Sequence, residues 1–223
     1  SDRRISFLEQ LILILLVYFL ISLFISLPFY LSNYQVTFIN SLFESFSGIT
    51  GTGFSIFKNI KYLDPTLIIW RSSSQWIGGL YFLIFLIIIF SNKQFNYKMA
   101  DLTYSGDGSI NSENNIKNLL FKIFILYSIL SLIIFIMLNI SGVRLFNSLN
   151  LSMTLISAGG FMPMNSLGKI IQSNPQKIVF ILSLLISMLN FFLIFNLFDK
   201  KIIIREHKED IFLLFVASFF ILL

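Results

Sequence analysis

Two stretches 107 positions apart share one pattern: "NSLFESFSGITGTGF", ending at Phe54, and "NSLNLSMTLISAGGF", ending at Phe161. Asn40, Ser41, Leu42 and Ser45 match Asn147, Ser148, Leu149 and Ser152, and Gly53 and Gly160 fall in register before a phenylalanine. A repeat that keeps its glycines asks for backbone rather than side chains. Backbone carbonyls can replace the hydration shell of a cation without the charge that would hold it too tightly. They converge on one axis only where the chain takes conformations that a Cβ resists, and Gly51, Gly53, Gly159 and Gly160 are expected to supply that freedom. Thr50, Thr52 and Ser157 could add hydroxyl oxygens. A single GTG or GG reads more simply as a turn or a close-packing site. Two in register, each behind a short helix, favour the coordinating reading.

Such loops need surroundings in which irregular backbone is useful. Apolar residues make up 56% of the 223 and charged residues only 12%, with a mean hydropathy of +0.84, the composition of a membrane protein. Uncharged runs lie at 11–31, 77–91, 123–142 and 178–198. With flanking residues, and at 1.5 Å per residue, each crosses or nearly crosses a hydrocarbon core of about 30 Å. The first run is followed by further spans and lacks an A-x-A-like cleavage site, so a secretory leader is a poor reading. The net charge of +5 gathers at the ends of apolar runs, which topology explains better than nucleic acid. With no cysteine there is no disulfide, thiolate metal site or cysteine nucleophile. No nucleophile, acid and base arrangement is found, so nothing supports an enzyme or a cofactor.

Between the first two runs, 38–49 is helix-like but only about 12 residues, roughly 18 Å, too short to span. Ser41 and Glu44 form an S-x-x-E pattern, which predicts a capping box with Glu44 reaching back to Ser41. The helix runs inward, stops near Gly48, and the chain returns through "ITGTGFSIF" to its own side; 146–156 with "SAGGFMP" reads alike. Asp64 before Pro65 and Asn174 before Pro175 predict an N-cap and a first-turn proline for each following span. The expected fold is an all-α membrane protein of tandem repeats, each a transmembrane helix, a re-entrant pore helix with its filter loop, and a second transmembrane helix. The first repeat covers 1–98, with spans at about 10–31 and 65–91, a pore helix at about 39–49 and a filter at 50–54. A polar connector takes 99–116. The second repeat covers 117–199, with spans at about 117–141 and 175–198, a pore helix at about 145–156 and a filter at 157–161. The remainder, 200–223, is a linker and the truncated start of a third repeat. Six basic residues fall on the hairpin side and ten on the connector side, which predicts a cytoplasmic connector and hairpins facing outside. The last apolar run, 211–223, would cover only about 20 Å. With a start at Ser1 rather than methionine, it suggests an excerpt of a longer protein.

At these residues the chain resembles the Trk/Ktr/HKT superfamily of potassium transporters, particularly its TrkH-type membrane subunits. "LFESFSGITGTGF", "WRSSSQWIGG" and the "STGGF"-like "ISAGGF" carry the likeness, which covers essentially the whole chain. The resemblance implies a potassium-channel-like fold of four span-hairpin-span repeats around one pore, each giving one filter strand. On that likeness Thr50, Gly51, Thr52, Gly53 and Phe54 form one strand, and Ser157, Ala158, Gly159, Gly160 and Phe161 another, with Gly53 and Gly160 as the characteristic glycines. It further implies potassium uptake across a bacterial plasma (inner) membrane, a homodimer, and a cytoplasmic ring of nucleotide-binding regulatory subunits of TrkA type. Gly51 and Ala158 stand where threonine is common, which reduces side-chain contributions but leaves carbonyl coordination intact. In related plant transporters a serine at the characteristic glycine goes with sodium preference, and both positions here are glycine. The alternatives are a sodium or weakly selective pathway, and a non-conducting scaffold or half-gene.

Other residues allow two readings each. Arg71, beside Trp70 near the outer end of its span, is either an electrostatic partner for Glu44 at the mouth or a snorkelling arginine at the headgroups. Glu44 either concentrates cations at the entrance or simply completes the capping box, and capping is favoured. Gly78 and Gly79 read as helix-packing positions. His207, in "REHKED", reads as part of a charged linker rather than a metal site, and "GDGSIN" is no dinucleotide fingerprint because no βαβ unit surrounds it.

Overall fold

A computed structural model of the chain describes residues 7–90, 113–188 and 212. Among them lie six α-helices, two 3₁₀ turns and no strand: α1 (Phe7–Tyr30), α2 (Phe38–Ile49), α3 (Pro65–Phe90), α4 (Glu113–Ile140), α5 (Leu145–Ile156) and α6 (Asn174–Met188). Three of them, over Leu8–Tyr30, Pro65–Ile88 and Lys117–Ile140, are long and apolar enough to cross a membrane. The span expected at 175–198 is described only as far as Met188, and His207 and "GDGSIN" lie outside the described residues. Helix α4 starts at Glu113, four residues inside the expected connector.

The helix starts differ from expectation at two places. Helix α2 is capped by Thr37, whose Oγ1 accepts from the Asn40 N–H at 3.4 Å. Ser41 is an interior residue whose hydroxyl donates back to the Thr37 carbonyl at 3.1 Å, so the capping box predicted at Ser41 and Glu44 does not form. Helix α6 begins one residue earlier than Asn174 and Pro175 suggested. Gln176 Oε1 accepts from the Ser173 N–H at 3.2 Å and the Gln172 N–H at 2.9 Å, so one side chain in the first turn reaches back to the two N–H groups just before the helix.

Helix α3 holds the molecule together, packing against α1, α2, α4 and α5. A Cβ at Gly78 would overlap the Ile49 carbonyl, and one at Gly79 would lie 2.6 Å from the Tyr127 hydroxyl and 2.8 Å from Ser157 Cβ. These two glycines thus let one helix touch the ends of both short helices. Apolar clusters fill the joins: Leu83, Ile87 and Ile123 between α3 and α4, Ile134, Leu138, Leu151 and Leu155 between α4 and α5, and Ile25, Phe29, Ile49 and Leu67 among α1, α2 and α3. Where apolar faces are also solvated by lipid, polar cross-links help specify helix pairing. Tyr18 donates to the Ile49 carbonyl at 2.6 Å, Trp70 to Ile25 at 3.0 Å, Tyr81 to Ile14 at 2.8 Å and Tyr127 to Trp76 at 3.1 Å.

Candidate functional site

At the ends of α2 and α5 the chain turns sharply and uses its N–H groups locally. The N–H of Thr50 donates to Phe46 O (2.9 Å), that of Gly51 to Gly48 O (3.0 Å) and that of Gly53 to Ser47 O (3.3 Å). In the second copy Ala158 donates to Leu155 O (2.9 Å) and Gly159 to Thr154 O (2.8 Å). The carbonyls behave in the opposite way. Among the described residues, none of the eight belonging to 50–53 and 157–160 accepts a hydrogen bond. Unpaired carbonyls at membrane depth are costly unless water or an ion meets them, and a row of them can exchange for a cation's hydration shell. The two helix C-termini add partial negative charge beside them.

The backbone angles revise the expected role of the glycines. Gly51 (φ +68°), Gly53 (φ +77°) and Ala158 (φ +51°) take left-handed conformations, whereas Gly159 and Gly160 do not. Ala158 is in register with Gly51, so the turn is kept in the second copy at a strain on the order of 1 kcal/mol for its Cβ. Gly159 and Gly160 serve close approach instead. A Cβ on Gly159 would overlap the Gln75 amide, and one on Gly53 would lie 2.7 Å from Gly160 Cα. The two loops therefore touch backbone to backbone at the matched glycines. Their hydroxyls turn back on the helix ends: Thr50 Oγ1 donates to Phe46 O at 2.7 Å and lies 2.6 Å from Thr52 Oγ1, while Ser157 Oγ donates to Met153 O and Thr154 O at 3.0 and 3.1 Å.

Glu44 and Arg71 lie behind these loops. They are 0% and 1% exposed, so Arg71 is buried against Glu44 rather than extended to a surface. Arg71 Nε donates to Glu44 Oε1 at 2.7 Å. Its other nitrogens reach Ser55 Oγ at 3.0 Å and the Met162 carbonyl at 3.5 Å, and its guanidinium lies 4.3 Å from the centre of the Phe161 ring. The Glu44 carboxylate also accepts from Ser55 Oγ (3.0 Å) and the Ile56 N–H (2.9 Å). One ion pair thus grips the chain just after the first loop, at 55–56, and just after the second, at Met162.

Sequence reasoning singled out neither Ser55 nor Gln75 as a site residue. Gln75 Oε1 accepts the Phe161 N–H at 3.1 Å, while its buried Nε2 has no partner. The available signal was its position four residues after Arg71, which places both polar groups on one face of an otherwise apolar span. Phe54 and Phe161, equivalent in sequence, part company: Phe54 is 68% exposed and Phe161 2%.

Known proteins are similar to this chain in sequence or in fold. An archaeal protein from Methanocaldococcus jannaschii, named as an uncharacterized cation transporter, is 31% identical over 157 residues, 66% of this chain and 32% of that one. Trk system potassium uptake protein TrkI of Halomonas elongata is 42% identical over 69 residues, 31% of this chain and 14% of that one. The crystal structure of the potassium transporter TrkH from Vibrio parahaemolyticus superposes with a TM-score of 0.73 at 23% identity, covering 90% of this chain and 40% of that one. The chain spans about a third or less of the length of these curated relatives. The family profile of TrkH, described as a cation transport protein, matches residues 10–223, and on that match the chain belongs to the TrkH family of cation transport proteins.

Proposed function

We propose that this chain supplies two of the four walls of a potassium uptake pathway, with Thr50–Phe54 and Ser157–Phe161 as two strands of its selectivity filter. The observation that carries the reading is the pair of loops in backbone contact at Gly53 and Gly160, with the carbonyls of 50–53 and 157–160 without a partner among the described residues. Potassium enters as substrate, drawn by a membrane potential that contributes about 2.3 kcal/mol per elementary charge per 100 mV. Glu44 and Arg71 position the strands from behind and do not touch the ion. The reading assigns transport and no catalysis. It places the chain in a bacterial inner membrane with its hairpins outside. Partners are the remaining repeats of the same protein, a second copy of it, and a cytoplasmic nucleotide-binding regulatory subunit of TrkA type. Relatives named as Trk system potassium uptake proteins support the choice of ion.

Uptake of labelled rubidium and sodium by cells expressing the complete gene tests the proposal. Rubidium should be strongly preferred, and Gly53→Val should abolish its uptake while leaving the protein in the membrane. Equal permeation of both ions would replace potassium selectivity with a weakly selective cation pathway. Unchanged uptake in Gly53→Val would favour a non-conducting scaffold.

A further inference from the structure

The two short helices differ at their N-termini, and that difference exposes a second site. Helix α2 is capped by Thr37. The equivalent position before α5 is Arg144, which makes no side-chain cap, so the first N–H groups of α5 point outward without a side-chain acceptor. A cavity of about 590 Å³ opens there, lined by eleven residues of which three are basic (Lys61, Arg144 and Lys169) and none acidic. Among the described residues none of these three cations has an ion pair. Asn147, in the first turn of α5, is only 5% exposed and lines the cavity, and among the described residues its side chain makes no hydrogen bond. Its amide opens onto the cavity rather than being sealed in the protein, so a ligand entering there can meet a donor that no protein group uses.

The rest of the wall also favours donors. Gln176 Oε1 is already occupied by the N–H groups of Gln172 and Ser173, which leaves its Nε2 as the available atom. Asn165 fixes the far side, its Oδ1 accepting from the N–H groups of Ile60 (2.7 Å) and Lys61 (3.3 Å). Lys61 is thereby carried from the first repeat to a cavity built mainly by the second. Three cations without an ion pair among the described residues, an uncapped helix N-terminus and amide donors that face the cavity together match the oxygens of a phosphate group.

We propose that this cavity binds an anionic phosphate group, supplied either by a phospholipid headgroup or by free phosphate. The inference needs only the cavity and stands whether or not the loops conduct potassium.

The test uses the complete protein, delipidated in neutral detergent. Native mass spectrometry counts retained phosphatidylglycerol against phosphatidylcholine, and calorimetry follows inorganic phosphate. The double substitution Arg144→Gln with Lys169→Gln removes two exposed cations, and Lys58→Gln with Lys177→Gln is the matched control outside the cavity. With each basic residue near a phosphate surface worth about fivefold in affinity, binding should weaken roughly 25-fold in the first double variant and stay unchanged in the control. Asn147→Leu keeps every charge and should weaken binding about tenfold, with thermal unfolding of each apo variant confirming an intact fold. Preferential retention of phosphatidylglycerol that depends on Arg144 and Lys169 identifies the headgroup as the source. Binding of inorganic phosphate with the same dependence, and no lipid preference, identifies the free anion. Neither probe binding, or both double variants losing binding alike, overturns the proposal.

Discussion

The two repeats follow one backbone plan and stabilise it by opposite means. Behind the first loop sits a buried ion pair, Glu44 with Arg71, tied to Ser55 and Ile56. At the position equivalent to Glu44 the second repeat has Leu151, 2% exposed in an apolar cluster. The second loop borrows its support from the first repeat: Gln75 holds the Phe161 N–H, Arg71 covers the Phe161 ring, and Gly48 lets that ring approach. Phe54 has no such cover among the described residues. In the proposed ring, each strand would lean on the second span of the repeat before it, as the second loop leans on α3, and Phe54 would meet a repeat beyond this chain. The first loop therefore draws its polar support from within its own repeat, and the second loop draws its support from the junction between repeats.

The sharpest way to break the comparison is to make one repeat resemble the other. Arg71→Leu leaves Glu44 buried without a counter-charge and should cost about 3–5 kcal/mol, read as lost thermal stability of the complete protein in detergent. Adding Glu44→Leu reproduces the apolar arrangement around Leu151 and should recover most of that stability. Rubidium uptake should remain impaired in the double variant, because Ser55, Ile56 and Met162 have lost their common anchor. Full recovery of uptake would show that the pair only balances charge.

The matched glycines should respond unequally. Gly53→Ala adds a Cβ both in a left-handed conformation and against the Gly160 backbone, so a cost of about 2–4 kcal/mol is expected. Gly160→Ala meets Gly53 Cα at 3.3 Å without the left-handed angle, and about 1 kcal/mol should suffice. Equal losses in stability and uptake would show that the backbone contact alone decides both sites.

At the next pair the signs should differ. Ala158→Gly removes left-handed strain and should raise stability by about 1 kcal/mol, while Gly51→Ala should lower it by a similar amount. Smaller still is the cap. Thr37→Ala should cost about 0.5–1 kcal/mol by removing an acceptor at the start of α2. Arg144→Ala, where no cap exists, should leave apo stability unchanged within about 0.5 kcal/mol.

The repeated pattern and apolar runs indicated where helices and loops would lie, because hydropathy and glycine placement are local properties. Helix starts were less legible: an S-x-x-E pattern at Ser41 lost to Thr37, and Asn174 to Ser173, since several polar residues could serve and only the path of the chain selects one. Gln75 was hidden for a related reason. Its partner, the Phe161 N–H, lies 86 residues away, a distance that local spacing cannot bridge.

The sequence by itself determined an apolar, helical, duplicated chain with glycine loops in matched positions, because composition and periodicity act through the nearest turn or two of helix. Only the tertiary structure decided that Glu44 and Arg71 are buried together and that Gly53 meets Gly160. It alone placed Lys61 beside Arg144 and Lys169, and gave Phe161 the cover that Phe54 lacks. Each of those depends on which elements the crossing of α3 against α2 and α5 brings into contact, and close packing between distant segments is set by the whole chain at once.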